Sequence, residues 1–86
     1  MADEKVAVIG AGQVGATVAQ RLLERSVSDV ALIDTVPGLA EGKALDLMQS
    51  ASLLGIERKV VGGTGLELLE GSHVVVMTAG KPRQPF

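Results

Sequence analysis

Gly10, Gly12 and Gly15 stand in G-x-G-x-x-G spacing, directly after the apolar run Val6-Ala7-Val8-Ile9 and directly before a helix-like run over residues 16–25. The chemistry open to such a turn is anion binding. The first glycine permits a tight turn out of a strand. The second lets backbone approach a phosphate with no Cβ in the way, and the third lets the new helix lie close to the strand. The helix start then offers N–H groups without helical partners, at the positive end of the helix dipole. Nineteen residues beyond Gly15, a second apolar run, Val30-Ala31-Leu32-Ile33, ends in Asp34. A dinucleotide fold sets a carboxylate there to accept hydrogen bonds from the adenosine ribose. A glycine-rich turn alone is a weak signal, and the bland alternative is a helix-capping turn with a surface aspartate. Strand, glycines, helix, strand and acid in this register point to a dinucleotide.

The elements that must position these residues follow from the hydrophobic pattern. Residues 6–9 form a continuous apolar strand, expected to be covered on both faces. A helix over residues 13–25 has Val14, Val18 and Leu22 four apart, with Ala19 and Leu23 widening the stripe toward a sheet. A short loop leads into a second strand at 30–33, and Thr35-Val36-Pro37-Gly38 is turn chemistry. The pattern predicts a second helix over 39–54, with Leu39, Ala40, Ala44, Leu47, Met48, Ala51 and Leu54 as its apolar positions and Gly55 as its stop. Residues 59–61 read as a third strand ended by Gly62-Gly63, residues 65–71 as a brief helix, and residues 74–77 as a fourth strand. Thr78-Ala79-Gly80 is a tight exit loop, and the tail over 81–86 holds two prolines, which disfavour regular structure. Strands alternating with helices imply parallel pairing through right-handed crossovers. The fold class is therefore α/β: the N-terminal half of a Rossmann-type doubly wound parallel sheet, strand order 3-2-1-4, filling residues 1–86.

Composition removes several classes of function. A chain of 86 residues forms one small domain, burying about 60–65% of its unfolded surface. An apolar content of 47% is too high for disorder. Phe86 is the one aromatic residue, so the core is built from Val, Leu, Ile and Ala. Net charge is −2, the basic residues never cluster, and nothing is available to stack on bases, which argues against nucleic acid. No apolar run reaches membrane length, and the acidic start Met1-Ala2-Asp3-Glu4-Lys5 is unlike a secretory signal. The absence of cysteine excludes disulfides and thiolate metal sites and fits a cytoplasmic protein.

Three stretches together are more specific. They are Val8-Ile9-Gly10-Ala11-Gly12-Gln13-Val14-Gly15, then Glu41-Gly42-Lys43-Ala44-Leu45-Asp46-Leu47, then Thr78-Ala79-Gly80-Lys81-Pro82-Arg83-Gln84-Pro85. With them the chain resembles, over nearly its whole length, the N-terminal NAD-binding portion of the malate dehydrogenases within the lactate/malate dehydrogenase family. The resemblance implies NAD as cofactor. Gly10, Gly12 and Gly15 would form the phosphate loop, with backbone N–H groups from Gln13 and Val14. Asp34 would hold the adenosine ribose and repel a 2′-phosphate, favouring NAD over NADP. Thr78, Ala79 and Gly80 would line the cleft near the nicotinamide. Arg83 matches the family's substrate-discriminating arginine, whose guanidinium pairs bidentately with the second carboxylate of a dicarboxylic substrate. Lactate-specific relatives usually carry glutamine there, so the substrate pair implied is malate and oxaloacetate, a reaction of the tricarboxylic acid cycle.

The chain departs from the family pattern after Pro85, where Phe86 stands and the sequence stops. The second loop arginine, the catalytic aspartate–histidine pair and the clamping arginine of the family lie in none of these residues. The expectation is dinucleotide binding without catalysis by this stretch alone, so that no residue in it is assigned a catalytic role. His73, the sole histidine, precedes the fourth strand and reads as a surface residue. With no fifth strand beside residues 74–77, an apolar edge is expected to favour a homo-oligomer, through that edge or through the helix over 39–54. Two readings from other classes compete: an NAD-sensing regulatory module of the potassium-transporter type, and a structural fragment without ligand.

Overall fold

Val6, Ala7 and Val8 are buried in the middle of a four-stranded parallel sheet, their side chains alternating between two apolar layers. That is why the first strand reads as an unbroken apolar run rather than an alternating one. The computed structural model describes residues 4–25 and 27–78. Its strands are β1 (Lys5–Ile9), β2 (Asp29–Ile33), β3 (Val60–Gly63) and β4 (Val74–Met77), in the order β3-β2-β1-β4. The expected 3-2-1-4 sheet is the one observed. β1 pairs with β2 from Lys5 opposite Asp29 to Ile9 opposite Ile33, and with β4 from Val6 opposite Val74 to Ile9 opposite Met77.

Helices α1 (Gln13–Glu24) and α2 (Leu39–Leu53) cover one face. There Ala19 and Leu23 of α1 and Ala40 and Ala44 of α2 pack on Val6, Val8, Val30, Leu32 and Val60. On the other face Leu68 and Leu69, from a short 3-10 turn (Leu66–Leu69), close over Ala7, Ala31 and Ile33. The expected brief helix between glycines is this single turn.

Three details differ from the sequence expectation. The buried stripe of α1 is Gly15, Ala19 and Leu23, while Val14 is 65% exposed. Gly15 lies against Gly10, in the turn that leaves β1, and a residue one position earlier is rotated by about 100° and faces outward. The third strand does not stop at Val61 but runs on through Gly62 and Gly63. A Cβ at Gly62 would collide with the carbonyl of Ala40, so the glycine lets α2 settle directly on the strand rather than ending it. On α2, Leu54 lies just past the helix and is 68% exposed, as is Leu53 at 89%. The helix meets the sheet through Ala40 and Ala44, with the expected Leu39, Leu47 and Met48 packed partly buried against the same core. On β4, Val74, Val75 and Met77 are exposed and only Val76 packs against the core.

Candidate dinucleotide site

The C-terminal ends of β1, β2 and β4 and the start of α1 converge at one edge of the sheet. Gly10 leaves β1 with φ 108, a backbone angle that disfavours any side chain. Its N–H donates to the Ile33 carbonyl at 2.7 Å, joining the turn to the end of β2. Its carbonyl, like that of Ile9, accepts from the Thr78 hydroxyl at 3.1 Å. A Cβ on Gly15 would run into that same Gly10 carbonyl and come within 3.1 Å of Thr78 Oγ1. The first and third glycines are thus required by the fold itself.

Gly12 is not. Its φ of −70 is open to any residue, and a Cβ there would meet nothing within 4 Å. It occupies the N-cap of α1, where Ser, Thr, Asp or Asn would ordinarily stabilise the helix. No side chain caps this helix among the described residues, and its first turn holds no acid. The first helical bond runs from the Ala16 N–H to the Gly12 carbonyl at 2.9 Å. The N–H groups of Gly12, Gln13 and Val14 therefore have no acceptor among the described residues, at the positive end of the dipole. A small residue left where nothing in the fold needs one, beside unpaired donors, is what a pyrophosphate requires.

Asp34 lies directly after β2 and is half-buried. Its Oδ2 accepts the Ala11 N–H at 2.8 Å and its Oδ1 the Val36 N–H at 2.9 Å. The Ala11 bond and then the Val36 bond hold the carboxyl below the usual aspartate range; partial burial opposes them and Thr35 adds a smaller contribution. A carboxylate fixed this way is charged at neutral pH and keeps lone pairs for hydroxyl donors.

The structure thus brings together Gly10, Gly12, Gln13, Val14, Gly15, Asp34 and Thr78, all named from the sequence. Ala79, Gly80 and Arg83 lie outside the described residues. His73 sits at the opposite edge of the sheet, where its Nδ1 accepts the Lys5 N–H at 3.2 Å and its own N–H donates to the Lys5 carbonyl at 2.8 Å. Ala11 and Val36 were not singled out by the sequence. Their contribution is a backbone N–H, and no residue-type signal marks it. An apolar hollow between α1 and α2, lined by Leu23, Leu47, Ala51 and Ile56, lies at the far end of α1 from the glycine turn.

A parallel 3-2-1-4 sheet whose central strand feeds a glycine turn, a free helix start and a carboxylate at the next strand end defines a dinucleotide-binding domain of the Rossmann type. Residues 4–85 match the family described as lactate/malate dehydrogenase, NAD binding domain, and the chain belongs to that family. It is 51% identical to a malate dehydrogenase of Dehalococcoides mccartyi over 81 residues, which are 94% of this chain and 26% of that protein. The chain therefore spans about a quarter of the length of the curated relatives it matches. Among solved structures, it superposes on Cryptosporidium parvum malate dehydrogenase with a TM-score of 0.92 at 42% identity, covering 98% of this chain and 27% of that one. It also superposes on C. parvum lactate dehydrogenase, solved with lactic acid and nicotinamide adenine dinucleotide, with a TM-score of 0.93 at 38% identity, covering 99% of this chain and 27% of that one. Nothing in these matches supports the reading as a potassium-transporter regulatory module. No helix among the described residues is long and apolar enough to cross a membrane.

Proposed function

We propose that this chain is the cofactor-binding portion of an NAD-dependent malate dehydrogenase, and that the seven residues gathered at the sheet edge hold the dinucleotide. The observation that carries the reading is Gly12, whose glycine identity the fold leaves unexplained, beside N–H groups of residues 12–14 that have no acceptor among the described residues. In this reading those N–H groups receive the pyrophosphate, and Asp34 accepts the adenosine ribose hydroxyls. Thr78, with Ala79 and Gly80 after it, leads toward the nicotinamide end. Bound NAD supplies the hydride acceptor for the malate carbon that becomes the oxaloacetate carbonyl. The chain spans about a quarter of its malate dehydrogenase relatives, so in this reading the reaction belongs to the whole protein and this chain's part is binding.

Cofactor choice tests the reading directly. A 2′-phosphate brought against the Asp34 carboxylate meets like charge, whereas a 2′-hydroxyl donates a charge-assisted bond worth about 1.5–3 kcal/mol. Calorimetric titration is expected to give tighter binding of NAD than of NADP, with Asp34→Ala narrowing the gap. Equal affinities for the two in the unmutated chain would sink the assignment.

Malate rather than lactate as the substrate of the whole protein rests on Arg83, through its match to the family pattern and through the malate dehydrogenases among the relatives. Replacing Arg83 by Gln in the whole protein is expected to shift turnover from oxaloacetate toward pyruvate, and an unchanged preference would remove Arg83 from that role. Self-association is proposed on exposed apolar side chains, Leu45 and Leu53 on α2 and Val75 and Met77 on β4. Light scattering over a dilution series decides it, a constant monomer mass being the contrary result. A cytoplasmic location is proposed on the cysteine-free composition and is checked by cell fractionation, recovery with the secreted or membrane fraction counting against it.

A further inference from the structure

Both N–H groups of the first half of the glycine turn, and the Gly10 carbonyl, are already engaged within the protein. The Gly10 N–H is held by the Ile33 carbonyl at 2.7 Å, and the Gly10 carbonyl receives the Thr78 hydroxyl at 3.1 Å. The Ala11 N–H is held by Asp34 Oδ2 at 2.8 Å, and the Ala11 methyl is fully buried in the core under the helices. From Gly12 onward the pattern reverses, and the N–H groups of residues 12–14 have no acceptor among the described residues. The boundary between engaged and open backbone falls where the Asp34 carboxylate grips the turn.

We propose that Asp34 is a positioning residue for the phosphate turn as well as the residue that reads the ribose. By holding the Ala11 N–H it fixes residues 10 and 11 against β2, so that anion contact falls on the N–H groups of Gly12, Gln13 and Val14. The two sub-sites of the dinucleotide are thereby linked through one side chain. A carboxylate suits this because both of its oxygens accept, one from Ala11 and one from Val36 across the next turn. An amide of the same size cannot do both. Its NH₂ group faces one of the two N–H donors, and that donor loses its partner. Asp34→Asn therefore releases one side of the clasp while keeping the volume.

This inference rests on the dinucleotide reading for its ligand and on geometry alone for the clasp, so its test has two arms. In the unliganded, unmutated chain, amide proton shifts are followed by NMR as the pH is lowered through the carboxylate range. The Ala11 amide is expected to move in step with the Asp34 carboxyl, together with Val36. An Ala11 amide that stays flat while Val36 moves would overturn the clasp. In the second arm, NAD is compared with an analogue whose adenosine ribose lacks both the 2′- and 3′-hydroxyls. If Asp34 only read the ribose, Asp34→Asn would leave analogue affinity unchanged, and that result would overturn the proposal. Loss of one positioning hydrogen bond is expected to weaken the analogue about three- to tenfold. Failure of both compounds to bind the unmutated chain would count against the dinucleotide reading instead, and the Ala11 titration would still decide the clasp.

Discussion

Strand β2 carries an aspartate at each end, and both carboxylates accept backbone N–H groups, yet they face opposite circumstances. Asp29, at the start of the strand, takes the Lys59 N–H at 3.0 Å and has the Arg58 guanidinium 4.0 Å away. Around it, His73 and Lys5 bond to each other's backbone, and Lys5 Nζ donates to the Glu70 carbonyl at 2.7 Å. That edge of the sheet uses its polar groups internally. Asp34, just past the other end, takes the Ala11 and Val36 N–H groups, and no ion pair to it is found among the described residues. Beside it stands the uncapped start of α1. In a parallel sheet the helix following each strand begins at the strand's carboxyl end, so the free N–H groups and positive dipole ends collect on that edge alone. An acid at the other edge holds the structure together; an acid at this one also stands beside N–H groups that have no acceptor among the described residues.

The largest effect expected within this contrast comes from the two glycines of the turn. Gly15→Ala drives a Cβ into the Gly10 carbonyl, and overpacking of this kind costs about 1–3 kcal/mol or more. Urea denaturation is expected to show it as a marked drop in midpoint. Gly12→Ala meets nothing and, as a poorer N-cap, is expected to cost about 1 kcal/mol or less. It is nevertheless expected to weaken NAD about tenfold or more by placing a methyl in the path of the pyrophosphate. If Gly12→Ala bound NAD normally, the glycine would have no ligand role.

Next in size is the pair of aspartates. Asp34→Asn removes a charged acceptor at the ligand edge, and NAD affinity is expected to fall about 10- to 100-fold. Asp29→Asn is expected to leave that affinity within about twofold, since surface changes away from a site rarely reach beyond about 0.5 kcal/mol. Comparable losses from both variants would mean that general loosening of β2, and not position, explains the result.

The smallest effect is acid dependence. The folded Asp34 carboxyl ionises below the usual aspartate value because the Ala11 and Val36 N–H groups favour its charged form. Above that usual value both folded and unfolded chains are ionised there, and the contribution to stability is complete. As the pH falls below it, the unfolded chain takes up the proton first, and stability is lost until the folded carboxyl is protonated too. Denaturation midpoints below pH about 4 are therefore expected to fall more steeply in the unmutated chain than in Asp34→Asn. Equal slopes would show that other carboxylates carry the acid sensitivity.

Much of this molecule was legible because local rules and global fold agree. Val6-Ala7-Val8-Ile9, Val30-Ala31-Leu32-Ile33 and Val74-Val75-Val76-Met77 are strands in the structure as in the pattern, β1 and β2 each beginning one residue earlier, at Lys5 and Asp29. The G-x-G-x-x-G spacing located the turn, and Asp34 stands where that spacing requires an acid. Two of the differences between pattern and structure arise where a glycine has a packing partner. The pattern ends β3 at Gly62, but the carbonyl of Ala40 lies where its side chain would be. The pattern places Val14 in the buried stripe of α1, although Gly15 beside it is what lies against the turn leaving β1. Both follow from close backbone approach, which hydrophobic periodicity does not record.

The order of the strands, the kind of turn after β1 and the presence of an acid at the end of β2 were determined by residue type and spacing, since each depends on contacts within a few residues or on a chirality common to all chains. Tertiary structure alone decided which N–H groups are engaged and which are open. Ala11 and Gly12 are neighbours in the same glycine turn. One N–H is taken by a carboxylate 23 positions along the chain, and the other finds no acceptor among the described residues. Hydrogen bonds to backbone are fixed by where strands and loops meet in space, and the identity of the donating residue leaves no mark of them.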